Sequence, residues 1–382
     1  MPECLNPPNG ASTAIPAPFR ERMAMAYSTG KRIVEMVYED LKPSDILTRK
    51  SFENAIIVNS AIGGSTNAPP HLQAIARHAG ISLSVNDWQK VGFEIPLLLN
   101  MQPAGDFLGE AFFRSGGVPA VMGELLEAKL LHTDTITVNG KSIGENIEKH
   151  KSKDTNVIKK VTNPIMKNAG FIVLSGNLFD SALMKTSVIS EDFRKRFLSN
   201  AGEENILRAR AVVFEGPEDY HKRLNSRKLN IDENSVLIVR GCGPVGYPGS
   251  AEVINMQPPD RLLKKGINTL PTLGDGRQSG TSASPSILHV SPESAVGGDL
   301  GIVKTGDRIK IDLNKRRVDL LISQAEFKNR RKKRKKFKIN NQTPWQEIFR
   351  DTVGQLEDGA CIKSRGIYLK VSTSKGIPRD SH

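Results

Sequence analysis

Two acids and a serine set among closely spaced glycines are the residues of this chain best placed, by type and spacing, to do chemistry. Glu252 closes the run GCGPVGYPGSAE, and Asp275 and Ser279 both lie in GDGRQSG. Glycine at this density lets a backbone adopt positive φ and approach a ligand closely. Carboxylates and a hydroxyl in such loops are the parts of an active site carried on a rigid scaffold. The competing reading of Gly241 to Gly298 is a set of Gly/Pro-rich turns between strands. A second glycine-rich turn, Gly63-Gly64-Ser65-Thr66-Asn67, precedes Pro69-Pro70, which suit the first turn of a helix. Helix N-termini collect anions, so this turn is a candidate for holding a carboxylate or phosphate. His71 and His78 fall on the helix that follows, and packing or solvent accounts for them better than a metal.

These loops need elements to hold them. Glu21 to Leu41 patterns as an amphipathic helix, with Met25, Ile33, Val34, Met36 and Val37 available for one buried face. A start signal at Ser44 and Asp45 leads to a second helix from near Arg49 towards Val58. Helical pieces continue through NDWQKVG, FLGEAFFRSGG and VPAVMGELLEAKLL. Near residue 133 the pattern changes: Thr135 to Val138 with Asn139-Gly140 signals a hairpin. From Phe171 strands dominate in FIVLSGNL, ARAVVFEG, SVLIVRGCG, GIVKTGDRIKIDL and RRVDLLIS, which predicts a closed or nearly closed β-barrel. TPWQEIFRDTVGQLEDGA reads as a late helix capped at Thr343.

With 382 residues the chain can form two domains. No apolar run approaches the roughly 20 residues that span a bilayer, and the N-terminus lacks a secretory layout, so a cytoplasmic location is expected. Cys4, Cys242 and Cys361 show no CxxC spacing, which argues against a disulfide framework or a zinc site. The net charge of +13 suggests nucleic acid until it is located. Phe327 to Lys338 holds nine Lys or Arg residues, and without them +4 remains. A solvated, partly helical excursion is the preferred reading of that run over a nucleic-acid tether.

At PSDILTRKSFENAI, AIGGSTNAPPHL, LSGNLFDSALMK, GPVGYPGSAE and GDGRQSGTSASPSILHVSPESAVGG the chain resembles the dihydroxy-acid and sugar-acid dehydratases, the IlvD/Edd family. NLFDSALMKTSVIS, GDGRQSGTSASPS and QTPWQEI resemble the L-arabinonate type. The resemblance implies an α+β architecture, with a helix-rich remnant of an N-terminal α/β domain followed by a swivelling β-barrel. The expected boundaries are 1–132 for the remnant, 133–325 for the barrel, 326–340 for the basic run and 341–382 for a C-terminal helix and tail. It also implies dehydration of a 2,3-dihydroxy acid, such as an aldonate, to a 2-keto-3-deoxy acid, with a [2Fe–2S] cluster and Mg²⁺. On the family motifs Glu252 matches a magnesium ligand and Ser279 the catalytic serine that takes the C2 proton. A serine needs its pKa lowered for that role, and a hard oxygen donor suits Mg²⁺.

The resemblance has gaps. The family's cluster cysteines lie upstream of the first motif, and Cys4, Cys242 and Cys361 match none of them. The expectation is therefore the C-terminal part of such an enzyme, inactive alone, whose first helices expose an apolar face. The expected partners are a small sugar acid and a second copy or a full-length homologue, with no membrane. The alternatives are a dihydroxy-acid dehydratase of branched-chain amino-acid synthesis, a non-catalytic assembly module, and, last, a nucleic-acid-associated protein.

Overall fold

The computed structural model describes residues 14–252, 255–278 and 285–363. They divide into two units, one holding 14–173, 184–194 and Pro285 and the other the remainder.

In the first unit α1 (Arg20–Tyr38) is followed by α2 (Arg49–Ala61), α3 (Ala68–His78), α4 (Val85–Gly92) and α5 (Gly117–Glu127). Helix α2 starts at Thr48, whose hydroxyl accepts from the Ser51 amide and satisfies one of the unpaired donors of the first turn. It buries Phe52, Ala55, Ile56, Val58 and Ala61. A buried Phe or Ile contributes about 2 to 3 kcal/mol, so α2 is the centre of this core. Trp88 of α4 meets Phe171 edge to face at 5.3 Å, and the Gln89 Oε1 accepts from the Val173 amide at 2.9 Å. Pro69 and Pro70 do stand in the first turn of α3.

Helix α1 does not form the expected buried face, but it does expose an apolar face, as expected of the first helices. Only Met36 is buried, while Ile33, Val34 and Val37 are more than half exposed. The apolar stripe is present but has no covering layer among the described residues. The Thr135 to Val138 segment is likewise a turn closed by Thr137 N–H to Lys141 O at 2.9 Å, with a single bridge from Ile136 to Ser142 and no strand.

Eight strands form one closed barrel: β1 (Phe171–Gly176), β2 (Ser181–Lys185), β3 (Ile206–Glu215), β4 (Ser235–Arg240), β5 (Thr272–Gly274), β6 (Ser286–Ser291), β7 (Arg308–Asp312) and β8 (Arg317–Leu320). Their order around the barrel is β1-β2-β6-β5-β4-β3-β7-β8. β3, β4, β5 and β6 pair in parallel, and β7 returns antiparallel to both β3 and β8. Parallel neighbours buried on both faces explain the continuous apolar run in SVLIVR and the burial of every residue of SILHVS. In the second unit α6 (Pro217–Arg223), α7 (Gln324–Lys332) and α8 (Pro344–Thr352) connect or flank strands. Thr343 caps α8 as expected, accepting from the Gln346 amide. No helix among the described residues is long and apolar enough to cross a membrane.

Candidate functional site

The segment from Gly241 to Gly246 leaves the end of β4 fully buried, and two carboxylates hold it there. Asp275, at the end of β5 and with no exposed surface, accepts from the amides of Gly241 at 3.0 Å, Cys242 at 2.9 Å and Ser294 at 2.9 Å. It also accepts from the Ser294 hydroxyl at 2.6 Å. Glu293, equally inaccessible, accepts from the amides of Val245 at 2.9 Å and Gly246 at 2.8 Å and from the Gln355 side chain at 2.9 Å. Burial pushes the Glu293 carboxyl above its usual range, opposed by the amides of Val245 and Gly246. On the other side of the loop Arg350 donates from Nε to the Val245 carbonyl at 2.9 Å. Glycine is required at 243 because a Cβ there would lie 2.5 Å from the Glu293 Oε2.

Asp275 is thus a structural acceptor that fixes one glycine-rich loop to another, since its bonds all run to backbone amides and one serine. Glu252 stands beyond that loop, exposed, in a parallel bridge with Arg277. Arg277 donates to the Ser250 carbonyl at 2.6 Å, so the PGSAE and GDGRQ segments run side by side. Gln278 is buried, its side-chain oxygen accepting from Ser286 at 2.8 Å, and Ser286 in turn accepts from Thr272 at 2.7 Å. Ser279 itself lies outside the described residues, as does Cys4. Glu293, Gln355 and Arg350 were not singled out by the sequence. An acid two residues past the buried strand β6, after Pro292, was a signal for Glu293; the other two offered none.

The metal groups that the family resemblance implies find no matching donor set here. Among the described residues no three His, Cys, Asp or Glu side chains gather into a metal-holding group. Cys242 and Cys361 are both buried and form no disulfide among the described residues. Burial, with Asp275, Glu218 and Glu293 nearby, pushes the Cys242 thiol well above its usual range. A proton-holding thiol is a poor ligand for iron, which binds thiolate. Glu252 is exposed and offers a hard oxygen donor, whereas the Asp275 and Glu293 carboxylates accept from backbone amides. The described residues therefore fit neither a [2Fe–2S] cluster nor a complete magnesium site. His71 and His78 are exposed on α3, and the His78 ring bonds the Ala74 carbonyl at 2.8 Å.

The basic run is partly structural. α7 carries Arg330, which bonds Asp307 at 2.6 Å and Glu326 at 2.7 Å, and Arg331, which pairs with Asp299. These pairs fasten the helix to the second unit, beside a cavity of about 670 Å³ that it helps to line.

The C-terminal model of the dihydroxy-acid/6-phosphogluconate dehydratases matches residues 156–360, and the N-terminal model matches residues 5–146. The chain belongs to that family. The description of it as a C-terminal part only is corrected by the N-terminal match, and the expectations of truncation and inactivity that went with it gain no support. A D-xylonate dehydratase of Caulobacter vibrioides is 54% identical over 97% of this chain and 62% of its own length. An L-arabinonate dehydratase of Rhizobium leguminosarum is 40% identical over 100% of this chain and 63% of its own. A dihydroxy-acid dehydratase of Acetivibrio thermocellus is 38% identical over 85% and 56%. The chain thus spans less than two thirds of the length of these relatives.

Proposed function

We propose that this chain serves the dehydration of a sugar acid, an aldonate of the D-xylonate or L-arabinonate kind, to a 2-keto-3-deoxy acid. The observation that carries the reading is the 54% identity with a D-xylonate dehydratase, against 38% with a dihydroxy-acid dehydratase. The difference favours the sugar-acid over the branched-chain alternative. In this reading Ser279 takes the C2 proton, and Glu252 is the chain's contribution to a magnesium site. The described residues gather no group of three ligands with Glu252, so no step is routed through a metal here. The helix-rich first region, in this reading, belongs to an α/β domain, and the barrel swivels against it during turnover. The expected partner beyond the substrate is a second copy or a longer homologue.

Titration with D-xylonate, L-arabinonate and a branched 2,3-dihydroxy acid tests the assignment, with keto-acid formation followed in parallel. Tighter binding of the two aldonates is expected. Preference for the branched acid would move the chain to the alternative class, and rejection of all three would sink the enzyme reading. Iron and sulfide analysis of the same sample decides whether the chain carries a cluster by itself. Ser279→Ala should lower any turnover by about a hundredfold or more while leaving aldonate binding in place, as loss of a proton-transfer group does.

A further inference from the structure

The Gly63–Gly64 turn between α2 and α3 is surrounded by buried donors that lack acceptors. Lys185, the last residue of β2, is 6% exposed, and among the described residues its ammonium bonds only the Gly63 carbonyl, at 3.1 Å. An ammonium carries three donors, so two remain without a protein acceptor. The Ser187 hydroxyl, in a residue 7% exposed, and the Asn59 Nδ2 are also buried with no hydrogen-bond partner among the described residues.

All three close on the same two glycines. The Ser187 Oγ is 3.5 Å from the point a Cβ on Gly63 would occupy, and the Asn59 Nδ2 is 3.1 Å from the corresponding point on Gly64. Gly63 has φ +60, and at Gly64 a Cβ would lie 2.1 Å from the Asn59 Oδ1, so both positions require glycine for Asn59 and Ser187 to stand this close to the turn. Ser187 is held in place by its neighbour, since the Thr186 amide and hydroxyl both donate to the Gly170 carbonyl, at 3.1 and 2.7 Å. Residues 62–65 are half-exposed, which leaves the turn open to a solute.

An unmatched buried ammonium and two unmatched buried donors are costly unless something accepts from them. No carboxylate lies within ion-pair distance of Lys185 among the described residues. We propose that Lys185, Ser187 and Asn59 form a binding site for a carboxylate at the Gly63–Gly64 turn. A carboxylate supplies two acceptor oxygens and one negative charge, which one lysine balances; a phosphate dianion would bring a second charge that nothing here neutralises. The competing role for Lys185 is a cation that only caps the carbonyl end of α2. That role leaves the Ser187 and Asn59 donors unexplained.

The assignment stands on the donors alone. A sugar acid is one carboxylate that fits it, so acetate and D-xylonate are probed separately on the full chain. Both should raise its resistance to urea and give saturable binding, with sodium chloride as the ionic-strength control. Affinity should fall at least tenfold in Lys185→Met and several-fold in Ser187→Ala. Absence of acetate binding to the native chain, equal binding by Lys185→Met, or tighter binding of inorganic phosphate than of acetate overturns the site. Acetate binding without D-xylonate binding supports the site and counts against the sugar-acid reading. If Lys185→Met does not fold, trinitrobenzenesulfonate labelling of Lys185 decides: protection by acetate supports the site, and unchanged labelling overturns it.

Discussion

Replacing Lys185 with methionine isolates what burial does to an ammonium that has no counter-charge among the described residues. The side chain is almost wholly enclosed, and burial lowers its pKa from 10.5 to about 8. The unfolded chain keeps the lysine proton up to about pH 10.5, whereas the folded chain releases it near pH 8. Between these values the unfolded state binds more protons, so this group makes stability rise with pH. Below about pH 8 the folded protein carries the whole penalty, on the order of 3 kcal/mol. Methionine keeps an unbranched apolar stem and removes the charge. It also removes the bond to Gly63, about 1 kcal/mol, at every pH.

The stability of Lys185→Met relative to the native chain should therefore change with pH. The variant should gain by about 3 kcal/mol between pH 10.5 and the neutral range. Urea denaturation of both proteins across that range, in chloride buffers free of carboxylates, reads the difference and cancels every other titrating group. A difference that does not vary with pH would refute the reasoning. Adding acetate should flatten the curve, because the bound anion gives the ammonium its counter-charge.

The clamped loop gives three further expectations. Gly243→Ala places a methyl 2.5 Å from the Glu293 Oε2 in a buried loop, and should cost about 1 to 3 kcal/mol in a denaturation experiment. Asp275→Asn turns one of two acceptor oxygens into a donor facing the Gly241, Cys242 or Ser294 amides, and should cost about 2 kcal/mol or more. An Asn variant as stable as the native chain would show that Asp275 does not hold the loop. Cys242, buried and kept protonated beside Asp275, should resist iodoacetamide until the protein unfolds; labelling at native conditions would contradict its placement.

Much of the architecture was legible in the residues. Apolar runs such as SVLIVR and FIVLSG are strands because their β-branched residues suit a barrel buried on both faces. Thr343 and Pro344 marked the start of α8 through local capping chemistry that needs no distant partner. β2, β5 and β6 were missed, since SALMK, TLG and SILHVS are short or mixed and gain strand structure only from their neighbours around the barrel. The stripe on α1 had the right period for a buried face, yet a period states only that one side is apolar. Whether another layer covers it is a tertiary matter, and here Ile33, Val34 and Val37 lie exposed.

The glycine-rich stretch divides in the same way. Its composition marked Gly241 to Gly298 as candidate loops, because glycine spacing and acids are local facts, and the fold sets β5 and β6 among them. Which acid does what was decided by the fold. Asp275 and Glu293 are consumed by backbone amides, whereas Glu252 lies exposed beside Arg277. Lys185 was an ordinary lysine at the end of an apolar run. Its burial, beside the Gly63 carbonyl and with no carboxylate in ion-pair distance among the described residues, is a property of three-dimensional neighbours that no single segment encodes.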